Sequence, residues 1–264
     1  MKKYFVIGNP IEHSLSPKLH NYWIKKNKIN AIYEKKRLND NEIKEIIRDI
    51  KNEKISGINV TVPFKKKVIP YLDELTNQAK ETQSVNTIYL KNNKTIGHNT
   101  DIEGFKESIR NAKFDVRGKN VMILGAGGVV SSIIFALKNM GALNITISNR
   151  TRENAKKLKK IFENIEIINW GDVSSFDMII NATSVGLNEE DRIDLDFSKV
   201  QNKFFYDVIY NPSETNFLKT GKKFNNKIIN GKMMFIYQAQ YAFKTWHSLL
   251  PKIDNEVLKI LDND

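Results

Sequence analysis

The side chains best suited to chemistry fall into a few short clusters. Ser14 and Ser16 carry two hydroxyls at i and i+2, directly before Pro17. Hydroxyls beside the free N–H groups of a helix start can hold a carboxylate. The stretch Asn59-Val60-Thr61-Val62-Pro63-Phe64-Lys65 ends an apolar strand on a lysine. Ser84-Val85-Asn86-Thr87 and Gly97-His98-Asn99-Thr100-Asp101 flank a hairpin-like segment. Taken singly, each has a plain structural reading: Ser16 as a helix N-cap, Lys65 as one of the run Lys65-Lys66-Lys67, His98 as a turn residue. The histidines, at 13, 20, 98 and 247, are too scattered for a ligand set, and cysteine is absent. No metal site, thiol nucleophile or disulfide is therefore expected.

A second kind of cluster lies further along. Gly125-Ala126-Gly127-Gly128 stands between an apolar strand, VMIL, and a helix-like run beginning at Val129. Small residues there let the backbone approach a pyrophosphate, and the helix start offers N–H groups and a positive dipole end. The third glycine of the usual fingerprint is replaced by Val130. An NAD site usually ends the next strand on Asp or Glu. Here that place holds Asn149-Arg150-Thr151, followed by Arg152. A guanidinium and a hydroxyl suit the 2′-phosphate of NADP, which a carboxylate would repel. NADP is the cofactor these residues imply.

These clusters need strands and helices to carry them. KYFVIGNP reads as a strand, Ser16 caps a helix with Pro17 at its first position, and AIYEKKRL reads as a strand. After Asp40, Ile43, Ile46, Ile47 and Ile50 make one helical stripe. GINVTVPF reads as a buried strand ended by Pro63, and NTIYL with KTIGHN as a hairpin turning at Lys91-Asn92-Asn93. From Lys119 strands and helices alternate: VMILG, a helix to Gly141, NITISNR, the helix ENAKKLKKIFE, then IEIIN, DMIINAT and FFYDVIY. That alternation predicts a doubly wound parallel sheet. A long helix follows from Lys232 to Leu250, with a short one beyond Pro251. The fold class is α/β, with two α/β domains, the second Rossmann-like. The expected boundaries are 1–101 for substrate and catalysis and 102–231 for NADP. The C-terminal helices, 232–264, are expected to pack back on the first domain.

Composition narrows the classes further. At 264 residues and 41% hydrophobic, the chain has apolar material for real cores. Its net charge of +12 comes mostly from Lys, since Arg occurs at only seven positions. Acidic residues lie between the basic clusters and no aromatic–basic ladder appears, so nucleic acid is not an expected partner. A basic field equally suits small anions. The apolar run YFVI near the start is too short for a signal-peptide core, and no later run reaches membrane-spanning length. No membrane partner and a cytoplasmic location are expected. The aromatic run Phe235, Tyr237, Tyr241 and Phe243 and the three tryptophans read as packing surfaces.

In chain order, GNPIEHSLSPKLHN, NVTVPFK, SVNT, GHNTDIEG, GAGG, NRT, NATSVG, DVIYNPSETNFL and GKMMFIYQA closely resemble the motifs of shikimate dehydrogenases. The resemblance covers almost the whole chain. It implies reversible reduction of 3-dehydroshikimate to shikimate with NADPH, a step toward chorismate and aromatic amino acids. By position it implies Lys65 and Asp101 as the catalytic pair, with Ser14, Ser16 and Tyr210 on the substrate carboxylate. Thr61, Asn86, Asp101 and Gln238 would hold the ring hydroxyls. Gly125, Ala126, Gly127, Gly128, Val129, Asn149, Arg150, Thr151, Arg152, Asn154, Thr183, Val208 and Gly231 would line the NADP site, with Met234 near the nicotinamide. A homodimer is the candidate assembly. Three departures from the family pattern stand out: Thr82-Gln83 before the SVNT motif, Val129-Val130 after GAGG, and Asn154 in place of a basic residue, where Arg152 is a candidate substitute. A relative oxidising quinate, with NAD or NADP, and a non-catalytic nucleotide-binding module are the competing readings.

Overall fold

The structure, a computed structural model, describes residues 1–261. It divides into two units, Met1–Gly104 with Ile236–Asp264, and Phe105–Phe235.

In the first unit the chain runs β1 (Lys2–Gly8), α1 (Ser16–Lys26), β2 (Ala31–Arg37), α2 (Ile43–Lys51), β3 (Gly57–Val60), β4 (Glu74–Leu75), α3 (Asn77–Thr82), β5 (Thr87–Lys91) and β6 (Lys94–His98). Helix α4 (Asp101–Asn111) begins here. The sheet order is β2-β1-β3-β5-β6-β4. β1 is parallel to β2 and β3, whereas β5 is antiparallel to β3 and β6. The isoleucine stripe of α2 packs in one cluster with Ile7, Ile58 and Ile88. An aromatic layer joins Trp23 of α1 to Tyr33, and to Phe243 and Trp246 of the C-terminal helix.

The second unit continues with β7 (Asn120–Leu124), α5 (Val130–Asn139), β8 (Asn144–Ser148), α6 (Arg152–Ile161), β9 (Glu166–Ile168), β10 (Met178–Asn181), β11 (Phe204–Asp207), α7 (Asn216–Lys223) and β12 (Lys227–Ile229). Helices α8 (Lys232–His247) and α9 (Asn255–Ile260) complete the chain. All pairings in its sheet are parallel, in the order β12-β11-β10-β7-β8-β9. The order reverses at β7 and β10, as in a Rossmann-like doubly wound sheet, and ligands bind at the carboxyl ends beside such a switch point. β10 and β11 are buried along their whole length, which is why MIIN and FFYD read as almost continuous apolar runs.

Three local expectations are corrected. Ser16 is not the N-cap of α1: Leu15 is, and Ser16 is the first helical residue. The Ser14 hydroxyl instead accepts from the Ser16 N–H at 3.3 Å. β3 stops at Val60 instead of Pro63, because Thr61 leads into a turn in which the Phe64 N–H bonds to the Thr61 carbonyl. α8 ends at His247, followed by Ser248 at φ 53°, so the helix cannot continue to Leu250.

Candidate active site

Lys65 follows β3 in the turn begun at Thr61, and its carbonyl accepts from the Val85 N–H at 2.9 Å. That bond ties the lysine turn to the loop carrying Asn86. Asp101 opens α4, with its N–H bonded to the Asn99 side-chain oxygen at 3.1 Å. Across this gap Lys65 Nζ donates to Asp101 Oδ2 at 2.5 Å, with side chains 12% and 8% exposed. A nearly dry ammonium with a fixed carboxylate can give a proton to a developing alkoxide and stabilise its charge.

Asn86 joins the pair. Its Nδ2 donates to Asp101 Oδ1 at 2.9 Å, with Thr100 Oγ1 at 3.0 Å and Gln238 Oε1 of α8 at 3.4 Å also in reach. Its oxygen accepts from the Thr100 N–H at 2.7 Å, which fixes the sense of the amide. The structure thus brings Lys65, Asn86, Asp101 and Gln238 into one group. Thr61 is half-buried at the end of β3, its methyl lying where a side chain on Gly8 would go. Ser14 and Ser16 lie at the start of α1, after the carboxyl end of β1. Tyr33 is fully buried, and desolvation holds its phenol well above the usual range. His98 is held below its ordinary pKa by burial, with Nδ1 3.0 Å from Thr76 Oγ1.

Residues of the second unit form their own site at the carboxyl ends of β7, β8, β10 and β11. Gly125 has φ +109°, and a Cβ there would stand 2.8 Å from the Ala182 carbonyl oxygen. A Cβ on Gly231 would overlap the Val208 carbonyl oxygen. Backbones this close leave room for no side chain. α5 starts without a side-chain cap, Val130 is buried, and Gly127 is exposed. Its first N–H groups and the bare glycine turn fit a pyrophosphate. At the end of β8, Asn149 Nδ2 bonds to the Thr151 carbonyl at 2.7 Å, and the Thr151 hydroxyl caps nothing. Arg150 is exposed and makes no hydrogen bond among the described residues, so its guanidinium is available to a 2′-phosphate. Arg152 is hydrogen-bonded to Asn169 Oδ1, while Asn154 accepts from Lys157 at 3.4 Å. Glu153 is the acid in this first turn of α6.

Two residues that the motifs contained but to which no role was given organise this end of the sheet. Asp207, at the end of β11, accepts from Thr215 Oγ1 at 2.6 Å, from the Ile209 N–H at 3.0 Å and from Asn181 Nδ2 at 3.1 Å. Burial pushes its carboxyl up to about 6, and those hydrogen bonds act against the rise. Asn181 in turn accepts from the hydroxyl and N–H of Thr183. The Val208 N–H bonds to the Asn181 carbonyl and the Gly231 N–H to the Ile209 carbonyl. Thr183, Val208 and Gly231 are therefore set by one buried network. Tyr210 lies in this unit with its ring 4.8 Å from that of Phe235, and Met234 is buried here. In the first unit Asn59, Tyr33 and Thr87 were missed in the same way. The available signal was a polar residue inside or ending an apolar strand: Asn59 in GINV, Asn181 in MIIN, Asp207 in FFYD.

Residues 6–88 match the family model described as the shikimate dehydrogenase substrate binding domain. Residues 108–208 match that of shikimate / quinate 5-dehydrogenase. A protein of Pelagibacter ubique named shikimate dehydrogenase (NADP(+)) is 61% identical, covering 99% of this chain and 100% of its own. The crystal structure of shikimate dehydrogenase from Aquifex aeolicus superposes with a TM-score of 0.91 at 36% identity, covering 100% of this chain and 98% of that one. The Thermus thermophilus enzyme, crystallised with NADP(H) and shikimate, gives a TM-score of 0.86 at 27% identity, over 99% and 98% of the two chains. With both halves matched and full-length relatives at this identity, the chain belongs to the shikimate dehydrogenase family.

Proposed function

We propose that the protein catalyses the reversible NADPH-linked reduction of 3-dehydroshikimate to shikimate. The observation that carries this reading is the buried Lys65–Asp101 pair, held by Asn86. A bound NADPH supplies hydride to the C3 carbonyl carbon. As negative charge develops on the carbonyl oxygen, the Lys65 ammonium stabilises it and donates the proton. Asp101 orients Lys65 and, with Asn86, Thr61 and Gln238, holds the ring hydroxyls. Ser14 and Ser16, with Tyr210, take the substrate carboxylate. Gly125 to Val129, Asn149 to Asn154, Thr183, Val208, Gly231 and Met234 serve the cofactor. Arg150, exposed beside the uncapped start of α6, is the residue best placed to favour NADP over NAD.

Steady-state assays of shikimate and quinate, each with NADP and NAD, test the reading. Shikimate with NADP is expected to give the highest kcat/KM. A preference for quinate or for NAD overturns the choice of substrate or cofactor, and NADP binding without turnover points to a non-catalytic module. Among the described residues no helix is long and apolar enough to cross a membrane. Action in the cytoplasm and assembly as a homodimer complete this reading, and sedimentation equilibrium tests the assembly.

A further inference from the structure

The polar contacts around Lys65 and Asp101 continue behind the substrate site, into residues the mechanism above does not use. Tyr33 lies on β2, two strands from Asn59 of β3, and is 1% exposed. Its hydroxyl donates to Asn59 Oδ1 at 2.7 Å. The Asn59 amide donates to the Asn86 carbonyl at 3.0 Å and to Thr87 Oγ1 at 3.1 Å. Thr87 Oγ1 donates to Asn86 Oδ1 at 3.1 Å, and the Asn86 amide donates to Asp101. The series is continuous from Tyr33 to Asp101, and Asn59 and Thr87 are buried.

Its direction follows from the number of hydrogens. Tyr33 has one, and burial keeps it on the oxygen. The Asn86 carbonyl accepts from the Asn59 NH2, so Asn59 turns its oxygen to the Tyr33 hydrogen. The Thr87 hydrogen is aimed at Asn86 Oδ1, which also accepts from the Thr100 N–H, and the Asn86 NH2 faces Asp101. His20 holds the phenol ring in place, stacked at 4.2 Å with 2° between planes.

We propose that Tyr33 is a positioning residue: its hydroxyl holds Asn59, and through Asn59 and Thr87 it holds Asn86 in place against Asp101. This rests on the function proposed above, in which Lys65–Asp101 moves the proton. Removing the hydroxyl leaves Asn59 Oδ1 a buried acceptor without a donor, a costly state. Reversing the Asn59 amide instead sets its oxygen against the Asn86 carbonyl. Either outcome loosens the hold on Asn86 and Thr87.

Tyr33→Phe keeps the ring and its stack. It is expected to lower kcat about tenfold and to raise shikimate KM about fivefold, with NADP KM unchanged within about twofold. Calorimetric shikimate binding without cofactor weakens by a similar factor. Thr87→Val, of nearly the same shape, cuts the series beyond Asn59 and lowers kcat while shikimate binding stays near normal. Tyr206→Phe is the structural control: it also loses a buried hydrogen bond, to Ser108 at 2.8 Å, and lowers Tm without altering the shikimate constants. Wild-type kcat in both Tyr33→Phe and Thr87→Val overturns the proposal. Failure of the wild-type protein to oxidise shikimate would instead overturn the function on which it rests.

Discussion

Lys65 illustrates how little a single side chain says by its type. It stands in a run of three lysines, of which Lys67 pairs with Asp40 on the surface, while Lys65 turns inward to Asp101, 36 positions later in the chain. Exposed pairs of the first kind contribute little. The buried one holds an ammonium with no freedom to wander, which suits the proton donor proposed above. Lys65→Ala is expected to lower kcat by about 100-fold or more, with shikimate KM changed far less. Steady-state kinetics check this, and a near-normal kcat would remove Lys65 from the mechanism. Arg150 and Arg152 show the same limit. Both suit a phosphate by type, yet Arg152 is hydrogen-bonded to Asn169 and only Arg150 stands without a protein partner among the described residues.

At the scale of elements, the strong periodic segments were legible and the short ones were not. α2 follows its isoleucine stripe, and β7, α5 and β8 lie where the apolar runs place them. β4, with two residues, and β12, with three, are too short to show a period, and α3 has only six residues. They exist because neighbouring strands and caps complete them. The loop between β11 and α7 shows how an element end serves a site. Thr215 caps α7 by accepting from the Leu218 N–H at 3.4 Å and donates its hydrogen to Asp207. Thr215→Ala is expected to cost about 1–3 kcal/mol, for the lost cap and the under-satisfied buried carboxyl. Thr215→Ser should restore most of it in urea unfolding. Gly231→Ala forces a Cβ onto the Val208 carbonyl. It is expected to weaken NADP binding at least about tenfold while shikimate binding alone is unchanged, since strain there falls on the nucleotide-side network.

At the scale of the whole molecule, the two units carry buried titratable groups of opposite effect. In the first, burial lowers His20 to about 3 and His247 to about 4, and His98 is lowered too. A histidine kept neutral by the fold stabilises it above the unfolded pKa of about 6.5, and that stability is lost as pH falls toward the folded value. In the second, the pKa of Asp207 is raised to about 6, so its ionised form is disfavoured by the fold. Its cost is absent below the unfolded value and grows as pH rises through about 6. Acidification from pH 7 to 5 is therefore expected to destabilise the first unit, while Asp207 acts the other way in the second. Urea unfolding followed through Trp23 and Trp246, and through Trp170, checks this. His20→Phe should flatten the first unit's slope by about 1.4 kcal/mol per pH unit. The sequence by itself determined the α/β class, the glycine turn before α5, the basic end of β8 and the motifs that carry the family resemblance, because local periodicity and residue type suffice for these. Only the tertiary structure decided which lysine is dry, which arginine is available, and that Tyr33, Asn59, Thr87 and Asn86 lie in one hydrogen-bonded series. Those properties depend on strand register and burial, which bring together residues far apart in the chain.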